Sequence, residues 1–196
     1  MRPLLPQLAA IILRLVGWRT VYTVPPGPKS VVIVYPHTSN WDFPIGMLFK
    51  MCHSVDLHWA GKDTLFFGPF RWFFGKLGGV PINRREATGM TRQLAEAYAQ
   101  NPSFSICIAP EGTRSKSDHW KTGFYRLALS TGLPLGLGFI DYGSKSAGIE
   151  RWVTLSGNEE ADLEMLRAYY AEKTGLYPEK AGDIRFKERR EPAIRS

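Results

Sequence analysis

Hydrophobic and polar positions along this chain switch repeatedly between strand-like and helix-like patterns. Residues 31–35 form an apolar, β-branched run, which predicts a buried strand. Further strands are predicted at 55–60, 78–85, 103–109, 133–142 and 151–155, and helices at 4–16, 41–52, 88–100, 120–131 and 159–174. Because strands alternate with helices, we expect a single α/β domain with a mostly parallel central sheet flanked by helices.

The first predicted helix has an apolar face close to arginine side chains. Its apolar positions are Leu4, Leu8, Ile11, Ile12 and Leu15, and the nearby cations are Arg2, Arg14 and Arg19. This combination is typical of a short amphipathic helix that lies in an anionic membrane surface. The alternative is an ordinary helix packed on the core. The apolar stretch is shorter than the roughly 20 residues that a membrane-spanning helix needs.

A second candidate for lipid contact is the aromatic segment at residues 65–74. It holds six aromatic side chains in ten residues and lies close to Lys62, Arg71 and Lys76. Aromatic rings beside cations favour the headgroup level of a membrane or the wall of an acyl groove. The alternative is a large segment of the core.

Charge favours an anionic partner, because the net charge is +7 and the isoelectric point is about 9.5. The order of patterns divides the chain into an interfacial helix at 1–24, a main domain at 25–175 and a basic tail at 176–196, which we expect to be a loosely attached arm.

Cys52 and Cys107 lack the spacing of a metal site or a disulfide framework. We interpret His53 and His58 as ordinary helix-end and strand residues rather than as metal ligands.

Polar residues with catalytic potential follow several predicted strands. His37 comes directly after the first buried strand, and Asp42 lies in the first turn of the next helix. A spacing of five residues places two side chains about 140° apart on a helix, so only a bend between loop and helix brings them together. Such a pair is a histidine base oriented by an acid. The alternative is a histidine in a turn and an aspartate at a helix start.

Arg84 and the loop at residues 110–115 also follow predicted strands, and we expect them at the same edge of the sheet as His37. Histidine removes a hydroxyl proton near neutral pH, which contributes roughly 10²–10⁴-fold to a rate. Arginine binds phosphate through two parallel hydrogen bonds. The set is therefore suited to transfer to a hydroxyl group of a phosphate-bearing acceptor.

Four motifs in order over residues 31–141 resemble the glycerolipid acyltransferases typified by 1-acylglycerol-3-phosphate acyltransferase. The first is His-x-x-x-x-Asp, formed by His37 and Asp42. The second is a glycine-led strand ending in arginine, from Gly79 to Arg84. The third is Pro-Glu-Gly-Thr-Arg-Ser at residues 110–115, and the fourth is Leu-Pro-Leu at residues 133–135.

This resemblance implies an O-acyltransferase in which His37 is the general base and Asp42 orients it. The acceptor hydroxyl would attack an acyl thioester, carried by acyl-CoA or acyl-carrier protein, without an acyl-enzyme intermediate. The acceptor would be a lysophospholipid, most simply 1-acylglycerol-3-phosphate. Its phosphate or polar head would be bound by Arg84, Glu111, Gly112, Thr113 and Arg114.

The resemblance also implies that the protein needs no cofactor and no metal. We expect it to be a peripheral or monotopic protein on the cytoplasmic face of an anionic membrane. Nucleic acid is not expected as a partner. Lys62 is a further candidate for phosphate contact, and Lys121 for the geometry of the site. Ala109, Asn83 and Gly136 depart from the residues usual in the family. These departures leave open another polar-lipid acceptor.

Two other functions remain open from the sequence. An acyl thioesterase would use His37 to activate water instead of an acceptor hydroxyl. A non-enzymatic basic module would bind nucleic acid or a membrane, but it leaves the four ordered motifs unexplained. A serine hydrolase is disfavoured because the chain lacks the Gly-x-Ser-x-Gly motif.

Overall fold

The computed structural model describes residues 4–82 and 89–187. Within these ranges seven strands form one sheet: β1 Arg19–Tyr22, β2 Lys29–Val34, β3 His58–Lys62, β4 Gly79–Ile82, β5 Phe104–Ile108, β6 Leu135–Asp141 and β7 Ser146–Val153. The helices are α1 Leu4–Leu15, α2 Asp42–His53, α3 Gly68–Lys76, α4 Gly89–Gln100, α5 Gly123–Thr131 and α6 Glu159–Tyr170. Short 3-10 turns lie at Asp63–Leu65 and Pro178–Lys180.

The sheet has the strand order β1-β7-β6-β2-β5-β3-β4, and all neighbours are parallel except β6 and β7. The predicted α/β domain with a mostly parallel sheet is therefore confirmed. Central strand β2 lies between β5 and β6. Its side chains are buried on both faces of the sheet, Val31 and Ile33 in one core cluster and Val32 in the other, which explains its apolar sequence.

Helices cover both faces of the sheet and form the two outer layers. On one face α4, α5 and α6 pack against the sheet through Leu94, Phe124, Leu127, Leu163 and Leu166. On the other face α2 packs through Phe49, and the Phe43 ring of α2 contacts Trp59 of β3 and Phe74 of α3. Helices α2 and α3 therefore share one layer, and α1 packs on α2.

Two strands differ most from the sequence prediction, while β3 is shifted from the predicted 55–60 to His58–Lys62. Strand β1 was not predicted; it is an edge strand of four residues that are alternately exposed and half-buried, too short for this alternation to stand out. Strand β7 was predicted at residues 151–155 but spans Ser146–Val153 and runs antiparallel to β6. The first half of β7 contains Gly148, where a Cβ atom would collide with the backbone of Val21, and a glycine in a strand weakens the sequence signal.

The two segments predicted to contact lipid both expose apolar side chains. In α1 only Ala9 and Leu13 are buried, whereas Leu4 and Leu15 are each 81% exposed. In the aromatic segment Phe66 and Phe74 pack against Trp59, but Trp72 is 70% exposed. No helix in residues 4–82 and 89–187 is long and apolar enough to cross a bilayer.

The expectation of a loosely attached C-terminal arm is wrong for residues 176–187. The Trp120 amide donates to the carbonyl of Arg185 at 2.8 Å, and the Phe186 ring is buried against Tyr125. The backbone of Gly182 contacts Glu111. This segment thus belongs to the domain, held mainly by its backbone. The remaining tail, with Arg189, Arg190 and Arg195, lies outside the described residues.

Candidate active site

The structure brings His37 and Asp42 together at the carboxyl end of β2. A loop of four residues separates them, and α2 begins at Asp42. The Nδ1 atom of His37 lies 2.9 Å from Oδ2 of Asp42. The contact is close, but its angle falls short of hydrogen-bond geometry; such bonds in enzymes often tighten only once substrate is bound. The predicted bend between loop and helix therefore exists.

Asp42 is fixed by groups from two distant parts of the chain. Its carboxylate is 2% exposed and accepts hydrogen bonds from the Ser39 amide at 3.0 Å and from the Tyr142 hydroxyl at 2.9 Å. Burial, together with the charge of Asp42, raises the pKa of Tyr142, so its hydroxyl remains a donor. The carboxylate is thus held facing the imidazole ring.

Glu111 occupies a buried position directly behind the histidine. Its carboxylate accepts from the backbone N–H of His37 at 2.8 Å and of Gly182 at 2.7 Å, and the residue is 1% exposed. Burial raises the pKa of Glu111 to about 7, although the two N–H donors favour the charged form. Glu111 therefore connects three separate segments: the histidine loop, its own loop and the C-terminal segment.

The rest of the third motif lies at the surface beside the histidine. Gly112 has a φ of 68°, a left-handed conformation that favours glycine. Thr113 and Arg114 are exposed, and the Thr113 hydroxyl accepts from the Ser115 amide at 3.2 Å. The side chain of Lys121 passes next to Gly112, and its amide donates to the carbonyl of Pro110 at 2.8 Å. The backbone of Lys121 thus contacts this loop, and the role of its side chain in the geometry of the site stays a prediction.

The second motif is described only in part. Its Gly79 lies under an aromatic cluster, since a Cβ atom there would come within 2.7 Å of the Trp59 ring and 2.9 Å of the Phe66 ring. Arg84, predicted to bind the acceptor, lies outside the described residues, as does Asn83. Its role stays a prediction.

A cavity of about 360 Å³ opens from the His37–Asp42 pair and extends between α2 and the sheet. Ligand pockets in proteins are typically ~300–1,000 Å³, so its size suits a small-molecule substrate. Exposed Lys62, Thr113 and Arg114 lie along it together with the pair, while most of its wall is apolar. The apolar wall is contributed by Val32, Val34, Met47, Phe49, Leu57, Trp59, Cys107 and Ile149.

The other histidines considered from the sequence have structural contacts. His53 lies within hydrogen-bond distance of the Thr20 hydroxyl, 2.9 Å from Nε2 to Oγ1, and His58 packs against the Phe104 ring. No group of three potential metal ligands occurs in the described part of the chain.

Two contributors to this site were not predicted. Tyr142 lies at the carboxyl end of a predicted strand, so the sequence could have placed it at the same edge of the sheet as His37. The sequence could not have predicted its hydrogen bond to Asp42. Gly182 contributes only a backbone N–H group, which leaves no trace in the sequence.

Comparisons with known proteins add two findings. The family model described as Acyltransferase matches residues 19–136, more than half of the chain. Among solved structures, the 1-acyl-sn-glycerophosphate (LPA) acyltransferase PlsC from Thermotoga maritima is similar in fold, with a TM-score of 0.53 and 19% sequence identity. The match covers 86% of this chain and 74% of that one. No curated protein sequence matches the chain.

Proposed function

Since this chain belongs to the acyltransferase family, we propose that it transfers a fatty acyl group from a thioester donor to a hydroxyl of a lysophosphatidate-type acceptor. His37 is the general base of this reaction and Asp42 orients it. The acceptor class follows the name of the similar structure, an acyltransferase of 1-acyl-sn-glycerophosphate.

One observation carries the proposal: a histidine held by a buried carboxylate opens into an apolar cavity. With Nδ1 against Asp42, Nε2 is the nitrogen that accepts the proton of the acceptor hydroxyl. The hydroxyl oxygen then attacks the thioester carbonyl, the carbon–sulfur bond breaks, and the proton passes from the imidazole to the leaving thiolate. The buried carboxylate stabilises the imidazolium that forms in between.

The two substrates fit different parts of the site. The apolar part of the cavity suits the acyl chain, because burial of each CH₂ group contributes about 0.8 kcal/mol. Exposed Arg114, next to Thr113 on the same loop, suits the phosphate of the acceptor. Glu111 is buried and already accepts two backbone hydrogen bonds, so we assign it to positioning His37 rather than to contact with the acceptor.

The test of the function is thiol release from acyl-CoA with and without lysophosphatidate, coupled to detection of the acylated lipid. We expect release that requires the acceptor in wild type and falls by at least about 10²-fold in His37→Ala. His53→Ala, a histidine substitution at the far end of α2, is the matched control and keeps the activity. Release without acceptor and without lipid product would instead identify a thioesterase.

The phosphate assignment has its own test. Arg114→Ala is expected to raise the KM for lysophosphatidate, with little change in the KM for acyl-CoA. Arg126→Ala, an exposed arginine on α5 in the opposite layer, serves as control. An unchanged acceptor KM in Arg114→Ala would remove Arg114 from the acceptor site.

We further propose peripheral attachment to an anionic membrane through α1 and α3. Both helices lie in the layer of α2. The exposed apolar side chains include Leu4 and Leu15 on α1, Trp72 on α3 and Phe67 directly before α3. Arg14, Arg71 and Lys76 lie on the same helices, which suits anionic headgroups. The cavity lies beneath the same layer, so a lipid substrate has a short route from the bilayer.

Vesicle sedimentation tests this attachment. Phe67→Ser combined with Trp72→Ser is expected to reduce binding to vesicles that contain phosphatidylglycerol. Leu129→Ser, which alters an exposed apolar residue on α5 in the opposite layer, is the control and leaves binding unchanged. Equal binding by both variants would exclude the aromatic segment from the contact.

A further inference from the structure

Tyr142 lies between Asp42 and the end of α1. Its hydroxyl donates to Oδ1 of Asp42 at 2.9 Å. Its ring meets the ring of Trp18 edge-on, with the two centroids 5.0 Å apart and the ring planes at 90°. Both aromatic side chains are half-buried, and an edge-to-face contact of this kind is favourable beyond the apolar area that it buries. Trp18 therefore contacts the residue that holds the catalytic carboxylate.

The hydroxyl of Tyr142 gives the Asp42 carboxylate a second point of attachment. The Ser39 amide donates to Oδ2, and Nδ1 of His37 lies against the same oxygen. Tyr142 instead binds Oδ1. The torsion that turns a carboxylate about its Cβ–Cγ bond is broad, so contacts to one oxygen leave that rotation loosely defined. The bond to Oδ1 fixes it and keeps Oδ2 facing the imidazole ring.

Backbone hydrogen bonds fix Trp18 from both sides. The Trp18 amide donates to the carbonyl of Leu13 in α1 at 2.8 Å. The amide of the next residue, Arg19, donates at 2.9 Å to the carbonyl of Lys145, in the turn between β6 and β7. The position of the indole ring thus depends on α1 and on this turn, which also carries Tyr142.

The phenol of Tyr142 is the movable part of this arrangement. The backbone of Tyr142 is held by its amide, which donates to the carbonyl of Thr174 at 2.8 Å. The hydroxyl lies at the end of a side chain with two rotatable bonds, so a small rotation takes it out of reach of Asp42. Contact with the Trp18 ring restricts these rotations. Such restriction matters, because a misplacement of about 1 Å in a catalytic site can cost roughly 10²-fold in rate.

We propose that Trp18 is a positioning residue of the active site. Its ring holds the Tyr142 phenol, and the phenol fixes the Asp42 carboxylate that orients His37. This inference rests on the proposed function. It gives the end of α1 a part in catalysis, besides the membrane contact proposed for the same helix. Trp18 and Tyr142 lie on either side of residues 19–136, so the link is built by segments that flank the region matched by the family model.

The kcat for acylation of lysophosphatidate in detergent micelles tests this role, because membrane attachment through α1 does not enter the rate there. We expect Tyr142→Phe to lower kcat at least about tenfold, since it removes a hydrogen bond to a charged group. Trp18→Leu keeps apolar bulk without the ring and should lower kcat about threefold to tenfold. Trp18→Phe keeps an aromatic ring and should stay near wild type. The KM values for both substrates should change little, since neither residue lines the cavity.

The double variant with Trp18→Leu and Tyr142→Phe shows whether Trp18 acts through the hydroxyl. If it does, the kcat of the double variant should equal that of Tyr142→Phe, because no hydroxyl is left to position. A fall equal to the product of the two single effects would overturn the proposal. Trp152→Leu is the matched control. Trp152 is also half-buried, but it lies at the far end of β7, where its indole donates to the carbonyl of Thr23, and its replacement should keep the wild-type kcat.

Proton NMR of the His37 imidazole gives a second readout that needs no substrate. Its Nδ1–H, which faces Asp42, should give a downfield resonance that disappears in His37→Ala. We expect this resonance to shift in Tyr142→Phe and Trp18→Leu, and to stay in place in Trp152→Leu. Such shifts without any acylation of lysophosphatidate by wild type would support the link and overturn the acceptor assignment. An unshifted resonance or an unchanged kcat in Trp18→Leu would overturn the role of Trp18.

Discussion

Replacing Glu111 by glutamine isolates the buried carboxylate that holds His37 in place. The carboxylate accepts one N–H bond on each oxygen, from Gly182 and from His37. Glutamine keeps the shape and one acceptor oxygen, but its NH₂ group faces the other N–H donor. One buried donor then loses its partner, which by itself costs about 1–3 kcal/mol.

The pH dependence of the effect follows from the raised pKa of Glu111. The ordinary value is 4.5 and burial raises it to about 7 in the folded protein. The folded state therefore holds the proton more tightly than the unfolded state does. This stabilising contribution is complete below pH 4.5 and is lost as the pH rises through about 7. At about 1.4 kcal/mol per pH unit, the loss amounts to about 3.5 kcal/mol.

Urea unfolding of wild type and Glu111→Gln at several pH values between about 4.5 and 8 measures this change. Glutamine does not titrate, so the difference in unfolding free energy between the two proteins isolates Glu111. We expect wild type to be more stable at the acidic end and its advantage to shrink or vanish near pH 8. Glu179→Gln, at an exposed position, should show a nearly constant difference. A constant difference for Glu111→Gln as well would refute the reasoning.

Three further substitutions test other parts of the structure. Asp42→Asn should lower kcat roughly 10²–10⁴-fold, because the imidazole of His37 loses its orienting charge. Its circular dichroism spectrum should match that of wild type. An unchanged kcat would contradict the pairing of His37 with Asp42. Gly148→Ala should lower the Tm by several degrees, because its Cβ collides with the Val21 backbone. Gly75→Ala should not lower the Tm, because a Cβ atom at Gly75 would have no neighbour within 4 Å. Equal Tm values for the two glycine variants would disprove the close approach at Gly148. Burial disfavours the charged form of Asp162, yet hydrogen bonds from Ser156, Tyr125 and Gly157 lower its pKa below the ordinary value of 3.8. Asp162→Asn should therefore be less stable than wild type near neutral pH, and this difference should disappear as the pH falls below 3.8. A difference that persists in acid would contradict this.

Local patterns in the sequence were sufficient for the elements that build the active edge. The apolar run of β2 predicts a buried strand, and the structure buries its side chains on both faces of the sheet. The spacing of His37 and Asp42 predicts a bend between loop and helix because no regular helix brings them together. Both inferences depend only on residues close in sequence, and the structure confirms both.

Contacts between distant residues were beyond the reach of these patterns. The Tyr142 hydroxyl that holds Asp42 is 100 positions away along the chain. The resemblance implied that Glu111 contacts the acceptor, whereas the structure gives its two oxygens to backbone donors. A motif fixes which residue is present, but the groups that surround it decide whether that residue faces the substrate or supports a neighbour.

The C-terminal segment shows the same limit most directly. Besides Gly182 at Glu111, the amide of Tyr177 donates to the Thr38 hydroxyl at 3.2 Å, next to His37. At Gly175, directly before this segment, a Cβ atom would come within 2.9 Å of the Thr38 methyl group. The contacts of Gly182 and Tyr177 use a backbone N–H group, which any residue except proline supplies, so they place almost no demand on the sequence. The contact at Gly175 requires only the absence of a side chain. A polar, basic stretch can therefore look like a solvated arm while its backbone supports the loop that carries His37.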